Sequence, residues 1–197
     1  MAYCIERFNN GSGFLIVGQG NSGKSTLLNA LLDKLSHDKK ALVTQESDGE
    51  LSTDPKNGGH PDMLFQKLVI TGVEGGVEYE LGDLVEKGLV SDFNMMVIGE
   101  IKEAKSAAKL LNASFSGTQA AATVHGPDEI SGIEKLADYV HQGTGYSMDE
   151  CLKMLRTFET VVFMENRKLG GIATIKGWDN EKKQLIIEKV EFYKNVA

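Results

Sequence analysis

Short apolar runs separated by polar, glycine-rich segments set the rhythm of this chain. Residues 14–17 (Phe-Leu-Ile-Val) form an apolar run of strand length, entered from the polar segment 9–13 and ended by Gly18. From Lys24, the residues Leu27, Leu28, Leu31, Leu32 and Leu35 recur at helical spacing until His37 and Asp38 break the pattern. The order predicts a strand, a glycine loop and a helix. A second strand is expected at 41–44, then a long loop at 47–61, crowded with Gly, Asp, Asn and Pro. Residues 68–71 and 77–81 read as a strand pair around the turn 72–76, and 83–89 as a short helix.

The second half alternates more regularly. Residues 95–98 and, but for Thr123, 120–124 are apolar strands flanking a helix of Ala and Lys at 103–111. Pro127 sits where a helix would begin, and Ile133, Leu136, Ala137 and Val140 continue it at helical spacing. A further helix at 148–158 precedes a strand at 161–164, and 172–175 with 185–187 form an antiparallel finish around Asp179 and Asn180. The pattern is βαβα without repeats or linkers, so the expectation is one α/β domain over residues 1–197 with a mainly parallel sheet covered by helices on both faces.

Composition narrows the classes. With 197 residues and 41% hydrophobic positions, the chain can bury a core without metals or disulfides, and intrinsic disorder is excluded. The 28 acidic against 21 basic residues give a formal charge of -7, and Arg7, Arg156 and Arg167 are the only arginines, which argues against direct nucleic-acid binding through a broad surface. Cys4 and Cys151 lie far apart without metal-ligand spacing and read as reduced thiols of a cytosolic protein. No apolar stretch approaches the ~18 residues of a membrane span. The first residues carry Glu6 and Arg7 and then Asn and Gly, so no secretory leader is expected.

The loop at 18–25 reads GQGNSGKS and fits GxxxxGK[ST] in the context its mechanism requires, between an apolar strand and a helix. Gly18, Gln19, Gly20, Asn21, Ser22 and Gly23 supply backbone N–H groups to wrap phosphates. Lys24 reaches the β and γ oxygens, Ser25 offers a hydroxyl to Mg²⁺, and Thr26 continues the run into the helix. The chemistry indicated is nucleoside triphosphate binding. Gly18, Gly20 and Gly23 also satisfy GxGxxG, with Glu46 after the next strand as a ribose-binding acid, so a dinucleotide-binding Rossmann domain is the rival reading. The cation followed by a hydroxyl residue at the helix start favours the triphosphate. Residues 165–168 match the guanine-selecting NKxD element only loosely, so GTP is not favoured. The run 116–119 has a transporter-signature flavour in the wrong place, and no local motif marks the residues that contact the base.

Three strand ends carry the other candidate groups. Glu100 follows the strand 95–98 through Gly99, the placement from which a carboxylate serves Mg²⁺, largely through water. Glu46, with Glu50 four residues on as a possible second acid, can polarise and orient an attacking water. His125 ends the strand 120–124, where a side chain can touch a γ-phosphate and report its loss.

In this order the elements resemble the secretion ATPases of type II and type IV systems and the related pilus and flagellum motors. GSGFLIVGQGNSGKSTLLNALL is similar to the family's Walker A strand and helix. ALVTQESDGE is similar to its Asp box, with Glu46 and Glu50 on the acidic positions and Ser47 where aspartate is usual. NMMVIGEIKE looks like its Walker B, with Lys102 in place of the common arginine, and SGTQAAATVHG like its His box, with Thr118 where a first histidine usually stands. The resemblance implies a RecA-like P-loop core with a small antiparallel C-terminal extension. It also implies binding and hydrolysis of Mg-ATP, hexameric rings, and inner-membrane secretion or pilus platform proteins as partners. Such a motor would be cytoplasmic, at the inner face of the cell membrane, and would power assembly or transport of protein or DNA. Three departures qualify the match. Only seventeen residues precede Gly18, where the family has a separate N-terminal domain, so the expectation is a fragment or a natural short form. Val90 and Asp92 stand where arginines usually precede Walker B, and the four-cysteine zinc module of some members is missing. The departures leave a second expectation, an ATP-binding assembly module with little turnover.

Overall fold

A computed structural model describes residues 1–45, 51–52, 60, 63–67, 83 and 93–191. Among these, eight strands form a single sheet. The strands are β1 (Phe14–Gly18), β2 (Ala41–Gln45), β3 (Met63–Lys67), β4 (Met95–Ile98), β5 (Gln119–Val124), β6 (Thr160–Glu165), β7 (Lys168–Asp179) and β8 (Gln184–Lys189), in spatial order β3-β2-β4-β5-β1-β6-β7-β8. Neighbours from β3 through β6 pair in parallel, whereas β6–β7 and β7–β8 are antiparallel. The anticipated parallel sheet and antiparallel C-terminal strands are both present.

The central strands are apolar on both faces because both faces are covered. Leu15 and Val17 of β1, Met96 and Ile98 of β4, and Ala120, Ala122 and Val124 of β5 enter one core. Their alternate neighbours Phe14, Ile16, Met95, Val97 and Ala121 enter another. The first core is closed by α3 (Ala104–Phe115), α4 (Glu129–Thr144) and α5 (Met148–Met154), the second by α1 (Ala2–Asn9) and α2 (Lys24–Leu32). Asp128 caps α4 by accepting from the Ser131 N–H at 2.9 Å, and a Ser147/Glu150 capping box starts α5.

Several expectations need correction. The segment before residue 9 is helical, since Cys4 and Phe8 lie four apart and bury one stripe against α2 and the sheet. An unanticipated strand, β3, pairs with β2 at the edge of the sheet. The expected helix at 148–158 ends at Met154 and tightens into a 3₁₀ turn, Leu155–Thr157. The strand expected at 172–175 is the middle of β7, which runs from Lys168 to Asp179. The expected strand pair at 68–71 and 77–81 lies outside the described residues, as does the helix at 83–89 except Asp83. Cys4 and Cys151 are buried free thiols, and burial pushes both above the ordinary thiol pKa.

Between β6 and β7, Asn166 and Arg167 form a two-residue hairpin turn with φ of 51° and 62°. Two successive left-handed residues give the turn that matches strand twist, and the second position usually falls to glycine. An arginine there costs about 1 kcal/mol of backbone strain.

Candidate functional site

The sheet order places β4, β5 and β1 side by side, so the three segments leaving their carboxyl ends converge. In an open parallel sheet this crevice is where ligands bind. A cleft of about 820 Å³ opens there, lined by Gly20, Asn21, Ser22, Gly23, Lys24, Ser25 and Thr26, and by Glu100, His125, Met164 and Arg167. The sequence separates these groups by up to about 150 positions, and the fold makes them one surface.

The loop after β1 is built for an anion. Asn21 (φ 57°) and Gly23 (φ 98°) adopt left-handed conformations, and Gly23 is the N-cap of α2. The first N–H groups of a helix have no intrahelical acceptor and point outward with the positive end of its dipole. Lys24, 7% exposed, lies over the loop and donates to Gln19 O at 2.9 Å. Among the described residues Ser22 Oγ is the buried side-chain polar atom left without a hydrogen bond. Ser25 is half-buried and Thr26 exposed in the cleft wall. Left-handed loop residues, outward N–H groups and a lysine suit a polyphosphate, and Ser25 with Glu100 provides the hard oxygen donors that Mg²⁺ takes alongside water. Among the described residues no three His, Cys, Asp or Glu side chains gather as a metal cage.

Glu100 is held by the strands on either side. The Gly99 N–H donates to Thr44 O at 2.9 Å, the Thr123 hydroxyl to Gly99 O at 2.7 Å, and the Ile101 N–H to Thr123 O at 2.9 Å. Its carboxylate pairs with His125 Nε2 at 2.5 Å and Lys102 Nζ at 2.9 Å. Burial pushes the Glu100 carboxyl up, but the Lys102 hydrogen bond and the charges of His125, Lys102 and Lys24 together hold it below the ordinary glutamate value. The His125 Cε1 atom comes within 3.8 Å of the position a Cβ on Gly20 would take, so the ring sits beside the loop. A carboxyl with a depressed pKa contributes stability above its unfolded value that is lost as pH falls through the folded one. Glu100→Gln is therefore expected to flatten the acid limb of stability below about pH 5, measured by urea unfolding midpoints across pH. An acid limb identical to that of the natural chain would remove Glu100 as its source.

Lys24, Glu100 and His125 are thus brought together with residues 18–26. Glu46 and Glu50 lie outside the described residues, as do Val90 and Asp92. The residues flanking 46–50 are ordered by each other: Gln45 Nε2 donates to Leu51 O at 3.1 Å, and the Leu51 N–H returns to Gln45 Oε1 at 2.9 Å. Gln119, in the transporter-like run, is structural and donates to Phe8 O at 2.7 Å and Ser12 O at 3.0 Å. Sequence reasoning did not find Met164 and Arg167 in the cleft wall. The two-residue break between apolar β6 and β7 was the available signal, and it carries no glycine to announce a turn.

A family model described as "Type II/IV secretion system protein" matches residues 6–158. The chain belongs to this family. Among solved structures, it is similar to the VirB11 ATPase of the Brucella suis type IV secretion system in complex with sulphate, at TM-score 0.72 and 16% identity, over 93% of this chain and 53% of that one. It is also similar to the pilus retraction motor PilT with bound ADP, at TM-score 0.66 and 15% identity, over 96% of this chain and 49% of that one. The Legionella pneumophila ATPase DotB aligns at TM-score 0.61 and 16% identity, over 96% of this chain and 47% of DotB. The chain spans about half the length of these proteins, and the likeness establishes a RecA-like fold. No curated protein sequence matches it. Among the described residues no helix is long and apolar enough to cross a membrane.

Proposed function

We propose that this chain is the ATP-binding and hydrolysing core of a secretion, conjugation or pilus-type motor. The observation that carries the reading is the convergence of Lys24, Glu100 and His125 on one cleft at the carboxyl ends of β1, β4 and β5. The sulphate and ADP named with VirB11 and PilT fit an anion-binding cleft in this fold. The loop 18–26 binds the phosphates, with Lys24 leaving Gln19 O for their oxygens. Ser25 and Glu100 hold Mg²⁺, partly through water, and the ion supplies charge neutralisation of the phosphate oxygens. Glu46 orients and deprotonates the attacking water, Glu50 is a possible second acid, and His125 senses the γ-phosphate beside Gly20. The pairing of β1 with β5 and β6, instead of with β2, is unlike the dinucleotide-binding strand order and weighs against the Rossmann alternative.

On this reading residues 1–197 act as one RecA-like domain that works in a cytoplasmic hexameric ring beside an inner-membrane secretion or pilus platform, moving protein or DNA without binding nucleic acid itself. Phosphate release from Mg-ATP, followed across a protein concentration series with mass measured in the same samples, tests it. Turnover per subunit that rises with assembly is the expected result. Glu46→Gln is expected to keep ATP binding and to lower turnover by about 100-fold or more; an unchanged rate would strip Glu46 of its role. Val90 and Asp92, where the resembling family places arginines, favour a second reading: an assembly module that binds ATP and scarcely turns it over. Tight binding without turnover at every oligomeric state would select it.

A further inference from the structure

The β6–β7 hairpin tip is fastened to the phosphate loop. The Arg167 N–H donates to Ser22 O at 3.0 Å, and the Arg167 Cα lies 3.3 Å from the position a Cβ on Gly23 would occupy. Arg167 keeps a left-handed backbone (φ 62°) where glycine would be strain-free, so the hairpin itself gives no reason for this side chain. Arg167 lines the cleft, and among the described residues its guanidinium forms no hydrogen bond or ion pair.

The cleft lining joins charged and apolar residues. Lys24, Glu100 and His125 are its charged part, where phosphates fit. Its apolar part is Met1, Leu27 and Ala30 of α2, and Met164, which flanks Gly23 together with Arg167. Ala30 is six residues beyond Lys24, about 9 Å along the helix axis. An extended nucleotide anchored by its phosphates must place its base on this apolar side. A flat, apolar-faced purine fits a wall of Leu, Ala and Met, and a planar guanidinium is the cation best suited to stack on it.

We propose that Arg167, presented by the β6–β7 hairpin, stacks on the purine base of the bound nucleotide and so contributes to recognising it. The assignment rests on the nucleotide reading above and deepens it by giving the base end of the site a residue. Binding of Mg-ATP and of inorganic tripolyphosphate to the full chain tests it by titration calorimetry. Arg167→Gly is expected to weaken ATP about tenfold, to change tripolyphosphate less than about twofold, and to leave the thermal midpoint equal or higher, because glycine relieves the turn. Arg167→Lys keeps the charge without the plane and is expected to lose ATP affinity similarly. Unchanged ATP affinity in Arg167→Gly overturns the proposal, as does full affinity in Arg167→Lys. Equal loss for both ligands overturns it in favour of a phosphate contact. A natural chain that binds tripolyphosphate but not ATP removes the base assignment while leaving the phosphate cradle, whereas one that binds neither fails the nucleotide reading itself.

Discussion

Lys24→Ala is expected to weaken Mg-ATP binding about 100-fold while leaving the fold standing. The ammonium already lies over the phosphate loop, held by Gln19 O at 2.9 Å, so only a short swing separates it from a phosphate in the cradle. A hydrogen bond from a cation to an anionic oxygen contributes about 1.5–3 kcal/mol, and about 2.7 kcal/mol corresponds to 100-fold in Kd. The cost to the fold is far smaller. Gln19 is an exposed loop residue whose carbonyl water can serve in place of the ammonium, and removing a desolvated charge offsets part of the penalty. Calorimetric titration with ATP and thermal unfolding of the same sample separate the two effects. ATP binding at the natural affinity would mean that the loop does not use its lysine, and the triphosphate reading would lose its main support.

The parts of this molecule legible in sequence are those whose local pattern has only one physical solution. The runs that became β1 and β4, and all of β5 but Gln119 and Thr123, are apolar because helices cover both sheet faces, and no amphipathic element reads that way. Strand ends were equally legible, which is why Glu100 and His125 could be named. Their adjacency to Lys24 was not legible, because it depends on β5 separating β4 from β1, a long-range order that no local pattern encodes. Helix α1 was missed because its fully buried residues are only Cys4 and Phe8, with Glu6 exposed and Arg7 spent on a long-range pair with Glu159. Edge strand β3 was missed because an edge needs no continuous apolar run. Arg167 escaped for a related reason: a hairpin turn built on Asn-Arg offers none of the glycine by which such turns are read.

Gly18→Ala is expected to damage stability and nucleotide binding together, in contrast to Lys24→Ala. Gly18 ends β1 in register with Met164 of β6, directly before the loop. A Cβ added to it would collide with Ser22 Oγ and lie 2.5 Å from Met164 O. The serine hydroxyl can rotate away. The Met164 carbonyl belongs to the β6 backbone, beside the register shift between Phe163 and Met164, and relieving that clash means prising β1 from β6. Overpacking of this kind costs about 1–3 kcal/mol, which lowers the midpoint of a chain this long by roughly 2–12 °C. The same displacement moves Ser22, whose carbonyl accepts from the Arg167 N–H, so the loop loses its seat on the hairpin as well as its entry from β1. ATP affinity is therefore expected to fall by about tenfold or more, with thermal unfolding and titration on one preparation as the check. A variant that loses stability but binds ATP normally would show that the loop holds its phosphate-binding shape independently of the β1–β6 seam. That result would confine the function of the hairpin to whatever Arg167 contacts directly.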